Sequence, residues 1–238
     1  MRSAELAAHL DAAIHRLLTL IRQFDEAGGW ADQGALSCAH WLSWRIGLER
    51  GAAREHVRVA RAIADLPLLV QFVLAVIVAD VAEWAIHLTM HKVPFLWRFH
   101  GVHHSVKTMD WLAGSRQHML ELIVTRVAVL APLYILGFSE GVMNAYIIVV
   151  GFQAVFNHAN VHLPWGPLKY IIVTPDFHHW HHSSETVAID RNYAAHFAFI
   201  DYIFGTAVKS DRRFPGKYGV LGDYMPNGFV RQQLFPFT

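Results

Sequence analysis

Residues 80–104 read DVAEWAIHLTMHKVPFLWRFHGVHH, an apolar run that ends in His87 and His91 and is followed by His100, His103 and His104. The same order recurs downstream. Residues 156–164 (FNHANVHLP) carry His158 and His162, and residues 174–183 (TPDFHHWHHS) carry His178, His181 and His182. Side chains three or four apart share one face of a helix, so each group can aim its imidazoles at a common point. Imidazole is the commonest biological metal ligand and suits iron, zinc and copper. One such pair has an ordinary explanation in chance. Four groups in a repeated order, separated by long apolar segments, do not. Ten imidazoles exceed the needs of one ion and suit two, so the spacing predicts a two-metal, all-histidine site.

Composition bounds the setting. The 238 residues are 54% hydrophobic and 16% charged, with mean hydropathy +0.27, which leans towards a membrane protein. A net charge of +1 offers no electrostatic case for nucleic acid as a partner. Cys38 is the single cysteine, which excludes an internal disulfide and any multi-thiolate metal site. The polar start lacks the apolar core of a cleavable signal peptide.

The character of the chain changes near residue 66. Leu6, Leu10, Ile14, Leu17, Leu18 and Ile21 recur at helical spacing, and Gly28-Gly29 ends that helix. A second helix is expected over 35–46 and a third over 52–64. Residues 1–66 therefore read as a small soluble helical module, and 67–238 as a membrane domain. Residues 68–86 would span about 28 Å as a helix, close to the hydrocarbon thickness. The shorter runs 122–138 and 142–156, with a turn at Ser139-Glu140-Gly141, read as an inserted hairpin. Such a hairpin returns to the side it left, which puts all four histidine groups on one membrane face. The expected fold is all-α: integral membrane helices carrying a histidine-rich di-metal domain at the membrane surface. Asp80 and Glu83 lie on one helix stripe with His87 and His91. Charges this deep in an apolar run are costly unless they serve a purpose, and metal-bound histidines commonly donate their second N–H to a carboxylate. The tail beyond residue 211, rich in Gly and Pro, reads as an irregular cover.

Taken together, residues 80–91, 97–105 (WRFHGVHHS), 156–164, 174–183 and 191–206 (RNYAAHFAFIDYIFGT) resemble the fatty acid hydroxylase/sterol desaturase superfamily of membrane di-iron enzymes. The resemblance implies that His87, His91, His100, His103, His104, His158, His162, His178, His181 and His182 bind two iron ions. It also implies supporting roles for Arg116, His118 and Glu121, with O2 as co-substrate. The implied reaction is hydroxylation, or desaturation, of a C–H bond in a fatty acyl, sterol or related lipid. Iron rests on this resemblance, because the spacing alone leaves zinc open. No His-Pro-Gly-Gly haem motif and no Gly-x-Gly-x-x-Gly motif occurs, so electrons are expected from a separate cytochrome b5-like or ferredoxin-type donor. A zinc hydrolase is disfavoured by the lack of a His-Glu-x-x-His motif. The chain departs from the family at Leu88, Ala194 and Ile200. His179 and His196 are extra, with packing or surface roles expected.

Residues 1–66 instead resemble the start of a helical domain of unknown function that precedes HNH nucleases in bacterial proteins, most clearly over 35–67. No nuclease motif follows. The two halves make conflicting demands. Arg45, Arg50, Arg54, Arg58 and Arg61 should hold the module in the cytoplasm, yet one crossing by 68–86 would put the histidines outside. The expected location is a bacterial inner membrane with the site on the cytoplasmic face. That requires a re-entrant first segment or a helix from another subunit, as in a homo-oligomer. The alternative is a catalytically impaired fusion that retains the histidine cluster.

Overall fold

The computed structural model describes residues 2–62, 66–208, 210, 213–222 and 224–238. It divides into two compact units, residues 1–75 with 131–144, and residues 76–130 with 145–238. The architecture is all-α as expected. Among the described residues no strand forms, and the one β-bridge pairs Ser183 with Tyr218.

The first unit opens with helices α1 (Arg2–Glu26), α2 (Gly29–Asp32), α3 (Cys38–Trp41), which continues as a π turn over Leu42–Ile46, and α4 (Arg50–Ala62). Gly28, at φ 67°, supplies the left-handed step between α1 and α2. Ile21, Cys38, Leu42, Ala53 and Val57 form the small core of this unit. Arg61 grips Asp25 with two hydrogen bonds, of 2.5 and 2.9 Å. The expected second helix starts late, because Ser37 caps it by accepting the His40 N–H at 3.1 Å. The third starts early, because the Glu49 carboxylate accepts the N–H groups of Gly51 and Ala52. Its expected end, at 63–64, lies outside the described residues. Leu10 and Ile14 are 54% and 46% exposed, while Leu17 and Ile21 of the same stripe meet this core.

Four longer helices follow: α5 (Leu68–Lys92), α6 (Pro94–His104), α7 (Met119–Leu136) and α8 (Glu140–His158). Helices α5 and α7 are long and apolar enough to cross a membrane, yet only 28% and 17% of their apolar stretches are buried. A core helix of a soluble protein would be covered. Here Leu69, Val73 and Val81 of α5 and Ile123 and Val127 of α7 stand exposed. Apolar faces of this extent call for hydrocarbon as the surrounding medium. Helix α7 ends in a Schellman motif: the Phe138 N–H reaches the Leu133 carbonyl and the Gly137 N–H that of Tyr134, with Gly137 at φ 79°. The turn therefore occupies 137–139, two residues before the expected position. Three short helices complete the second unit: α9 (Pro175–His181), α10 (Ala198–Ile203) and α11 (Phe229–Leu234). Thr174 caps α9, and Pro175 at its first position costs no hydrogen bond.

Candidate metal centre

Nine of the ten clustered histidines gather in two groups. His87, His91, His100, His104 and His181 form the first, and His103, His158, His178 and His182 the second; within each, the ligand atoms lie within 4.8 Å of one another. Helix geometry explains the sorting. On α6, His100 and His104 are four apart and share a face. His103 precedes His104 by a single residue, so it points about 100° away and serves the other group. On α9, His178 and the capping His182 pair in the same way, and His181 is turned to the first group.

The nitrogens converge. In the first group, His100 Nε2 lies 2.9 Å from His87 Nε2 and 3.0 Å from His104 Nε2. In the second, His178 Nε2 is 3.0 Å from His158 Nε2 and 3.1 Å from His182 Nε2, with His158 and His103 at 3.4 Å. Neighbouring nitrogens around one first-row ion, bound at about 2.0–2.1 Å, sit about 2.9–3.4 Å apart. The Nε2 atoms of His91 and His181 are buried without a hydrogen-bond partner, a costly state unless a ligand meets them. The donor set fits a pair of metal ions.

Six of the rings are oriented from behind. Nδ1 of His100 donates to Glu121 Oε1 (2.6 Å), His91 to Asp190 Oδ1 (3.3 Å), and His103 to the Arg116 carbonyl (3.0 Å). His87, His181 and His158 donate to the carbonyls of Tyr193, Arg191 and Ala154, each at 2.7 Å. Carbonyl and ionised carboxylate oxygens only accept, so with these partners the proton sits on Nδ1 and the Nε2 lone pair faces inward.

The peptide units that carry the Arg191 and Tyr193 carbonyls are themselves held, the first by the Asn192 N–H donating to the Thr206 carbonyl at 3.0 Å. Asp201 accepts the N–H groups of Tyr193 (3.0 Å) and Ala194 (2.8 Å), as well as the Trp84 indole (3.1 Å). Asp80 accepts the next three, from Ala195 (2.9 Å), His196 (3.0 Å) and Phe197 (2.6 Å). Five consecutive amides thus hang on two buried carboxylates. Asp190 and Asn192, both at φ 58°, lead the chain into this segment.

Several expectations shift. Asp80 reaches no histidine ring; it lies about two turns before His87 on the same helix and acts on the backbone behind the ring. Glu83 is half-buried, in the field of Arg126, and bonds none of the histidines. His118 donates to the Gln233 carbonyl at 2.9 Å and so ties α7 to α11 rather than to the site. Arg116 binds Ser105 Oγ and the Val102 carbonyl, closing the end of α6 beside the His103 anchor. His162 lies outside both groups, its Nδ1 3.4 Å from Asp176 Oδ2. Helix α8 ends at His158, so the spacing of four no longer places His162 on the same face. His179 and His196 are buried packing residues, bonded to Tyr218 and Gln153. Asp190 and the carbonyls of Arg191 and Tyr193 carried no sequence signal, and Asp201 could be noticed only within its motif.

Burial sets the electrostatics. It pushes the His100 imidazole from its ordinary 6.5 down to about 3. Burial, with help from neighbouring imidazoles, holds His103, His104, His178, His181 and His182 well below 6.5. All are neutral at pH 7, the form in which an imidazole can bind a metal. Acid should therefore unfold the metal-free protein. Between pH 6.5 and about 3 the unfolded chain protonates His100 and the folded chain does not. The unfolded state binds more protons, and stability falls as pH drops, by about 1.4 kcal/mol per pH unit for each such imidazole. Denaturant titrations of metal-free protein at pH 7 and pH 5.5 check this, and equal midpoints would refute it.

A cavity of about 290 Å³ opens onto His91, His104 and His181, walled by Trp97, Ile189, Val220 and Tyr224. The Trp97 indole donates to the Tyr224 hydroxyl at 2.7 Å, so the expected tail cover forms part of this wall.

Known proteins share sequence with much of this chain. The fatty acid hydroxylase family model matches residues 72–206. Ornithine lipid hydroxylase OlsE of Rhizobium tropici is 31% identical over 172 residues, covering 72% of this chain and 52% of that protein. Alkylglycerol monooxygenase of Homo sapiens is 31% identical over 130 residues, 53% of this chain and 28% of its own. Very-long-chain aldehyde decarbonylase GL1-4 of Oryza sativa subsp. indica is 28% identical over 135 residues, 52% and 21% of the two chains. The chain thus spans about half the length of the first of these relatives and less of the others. No solved structure matches it. With matched segments that contain both histidine groups and the two carboxylates behind them, the chain belongs to the fatty acid hydroxylase family.

Proposed function

We propose that this protein is a membrane-bound oxygenase that hydroxylates, or desaturates, a lipid C–H bond with O2 and electrons from a separate donor. The observation that carries this reading is the convergence of nine imidazoles on two points. Relatives named as lipid hydroxylase and alkylglycerol monooxygenase support it. Two iron ions held by these nitrogens would supply the O2 reduction and C–H oxidation that no side chain provides.

The chain's own part is positional. Neutral imidazoles bind metal without cancelling its charge. Glu121, Asp190 and the backbone carbonyls hold the rings so that their lone pairs stay inward when the site is empty, which lowers the cost of binding. The cavity beside His91, His104 and His181 has apolar and aromatic walls from Trp97, Ile189, Val220, Leu221 and Tyr224, together with the polar Ser183 and Asp190. It therefore favours an alkyl segment over water next to the reacting position. In this reading residues 67–238 form the oxygenase domain and 1–66 a separate helical module. The site faces the cytoplasm of a bacterial inner membrane, where a cytochrome b5-like or ferredoxin-type donor can reach it.

The test uses the full chain in detergent, reconstituted anaerobically with iron, then given reductant, lipid extract and isotopically labelled O2. Mass spectrometry should find labelled oxygen in a lipid product, or an unsaturated product formed with lipid-dependent O2 uptake. Two bound ions without either product would favour the impaired fusion instead.

A further inference from the structure

A second and larger cavity, of about 850 Å³, is lined by Asp176, Phe177 and Trp180 of α9, and by His162, Trp165 and Lys169 in the segment after α8. It borders positions of α9 other than those that carry His178, His181 and His182. Within the protein, its polar atoms are incompletely matched. Asp176 Oδ1, an acceptor, and Trp165 Nε1, a donor, are buried with no hydrogen-bond partner, while the other carboxylate oxygen of Asp176 lies 3.4 Å from His162 Nδ1. Buried orphans of both kinds are rare in folded proteins and point to a ligand that offers both donors and acceptors. Positive charge stands beside them, from the exposed Lys169 and Arg213.

The surroundings say what kind of molecule brings such a group. Leu168 is 52% exposed and Tyr170 51%, while Ile203, next to the lining residue Tyr202, is 72% exposed. The rings of Tyr170 and Tyr202 lie 5.6 Å apart, so this apolar rim is continuous across the 166–170 turn and α10. An apolar, aromatic rim around a polar cavity suits the boundary between lipid tails and headgroups.

We propose that this cavity seats a lipid headgroup carrying both a protonated amine and an anionic group. The amine meets Asp176 Oδ1 between aromatic walls; the anionic oxygens take the Trp165 indole N–H, Lys169 and Arg213. Helix α9 is a wall shared with the second histidine group, so the bound lipid lies within about 10 Å of those imidazoles, one helix diameter. The assignment deepens the lipid-oxygenase reading and rests on it for treating the bound lipid as substrate.

Binding is measured without reductant or O2, so failure of turnover cannot be mistaken for failure of the site. Delipidated full-length protein in detergent is titrated with phosphatidylethanolamine and, separately, with phosphatidylglycerol, which lacks the amine. Wild type should hold phosphatidylethanolamine about tenfold more tightly, the scale of an amine desolvated among aromatic rings and a carboxylate. Asp176→Asn should erase that preference while metal content and melting temperature stay at wild-type values. Lys169→Gln should weaken both lipids together. Equal affinity of wild type for the two lipids would overturn the proposal, as would a preference that survives Asp176→Asn. Loss of bound metal in Asp176→Asn would assign this carboxylate to the histidine site instead. Soluble phosphoethanolamine binding as tightly as the lipid would replace the lipid with a free zwitterion.

Discussion

His100→Ala should cut the metal content of the reconstituted chain from two ions to about one, with loss of lipid oxidation. His100 Nε2 lies within 3.0 Å of both His87 and His104, and its other nitrogen is fixed by Glu121. Its removal opens the middle of the first group. Even loss of an outer hydrogen-bond partner weakens a metal site about 10- to 100-fold, and loss of a central ligand weakens it more. His178→Ala should do the same to the second group, where His178 stands between His158 and His182. His162→Ala should keep both ions, because His162 belongs to neither group. Elemental analysis of the three variants, with circular dichroism as a check on folding, reads this directly. If His162→Ala also lost an ion, the ten-histidine set implied by the family resemblance would stand and the nine-nitrogen arrangement would fall.

The next largest effect is expected at Asp80, which touches no ligand. Asp80→Ala strands three amides, that of His196 buried and those of Ala195 and Phe197 part-buried, at up to about 1–3 kcal/mol each. That approaches the whole stability of a typical domain, about 5–15 kcal/mol, and the variant should not accumulate. Asp80→Asn is the informative change, since it keeps one acceptor oxygen and turns the other position into a donor facing donors. The expected loss is about 2–4 kcal/mol, visible as a lower melting temperature. The metal effect should be one-sided. The ring-orienting carbonyls nearest this clamp along the chain belong to Tyr193 and Arg191, two and four residues before its first amide, and they orient His87 and His181, both in the first group. Anaerobic metal titration should show one weakened ion and one unchanged. Equal weakening of both would refute the selective role.

Much of the site could be read from spacing, and the limits of that reading are physical. A helix converts intervals of three and four into a shared face, so the paired histidine groups announced both points where the nitrogens converge and the helices that carry them. His162 stands apart from both groups because the helix stops at His158. The sharing of ligands, with neighbouring His103 and His104 in different groups, follows from the 100° step of a helix once two metals are assumed. The orienting oxygens were mostly beyond reach. Every residue has a carbonyl, so nothing marks those of Tyr193, Arg191 or Ala154. Asp80 was noticed because a carboxylate is out of place in an apolar helix, yet its partners lie 115 to 117 residues away, and no local pattern points there. The membrane reading followed from composition, and the exposed apolar faces of α5 and α7 repeat it in three dimensions.

Those long separations also order events in time. A ribosome makes Asp80 more than a hundred residues before the amides of Ala195, His196 and Phe197 that neutralise its demand for donors. Throughout that interval α5 carries a carboxylate with none of its final partners, in a stretch otherwise fit for lipid. Insertion of α5 and completion of the centre are therefore separate stages of biogenesis. The two nitrogen groups are completed only at His181 and His182, and their backbone support only at Asp201, so a chain cut short before His181 has neither group whole.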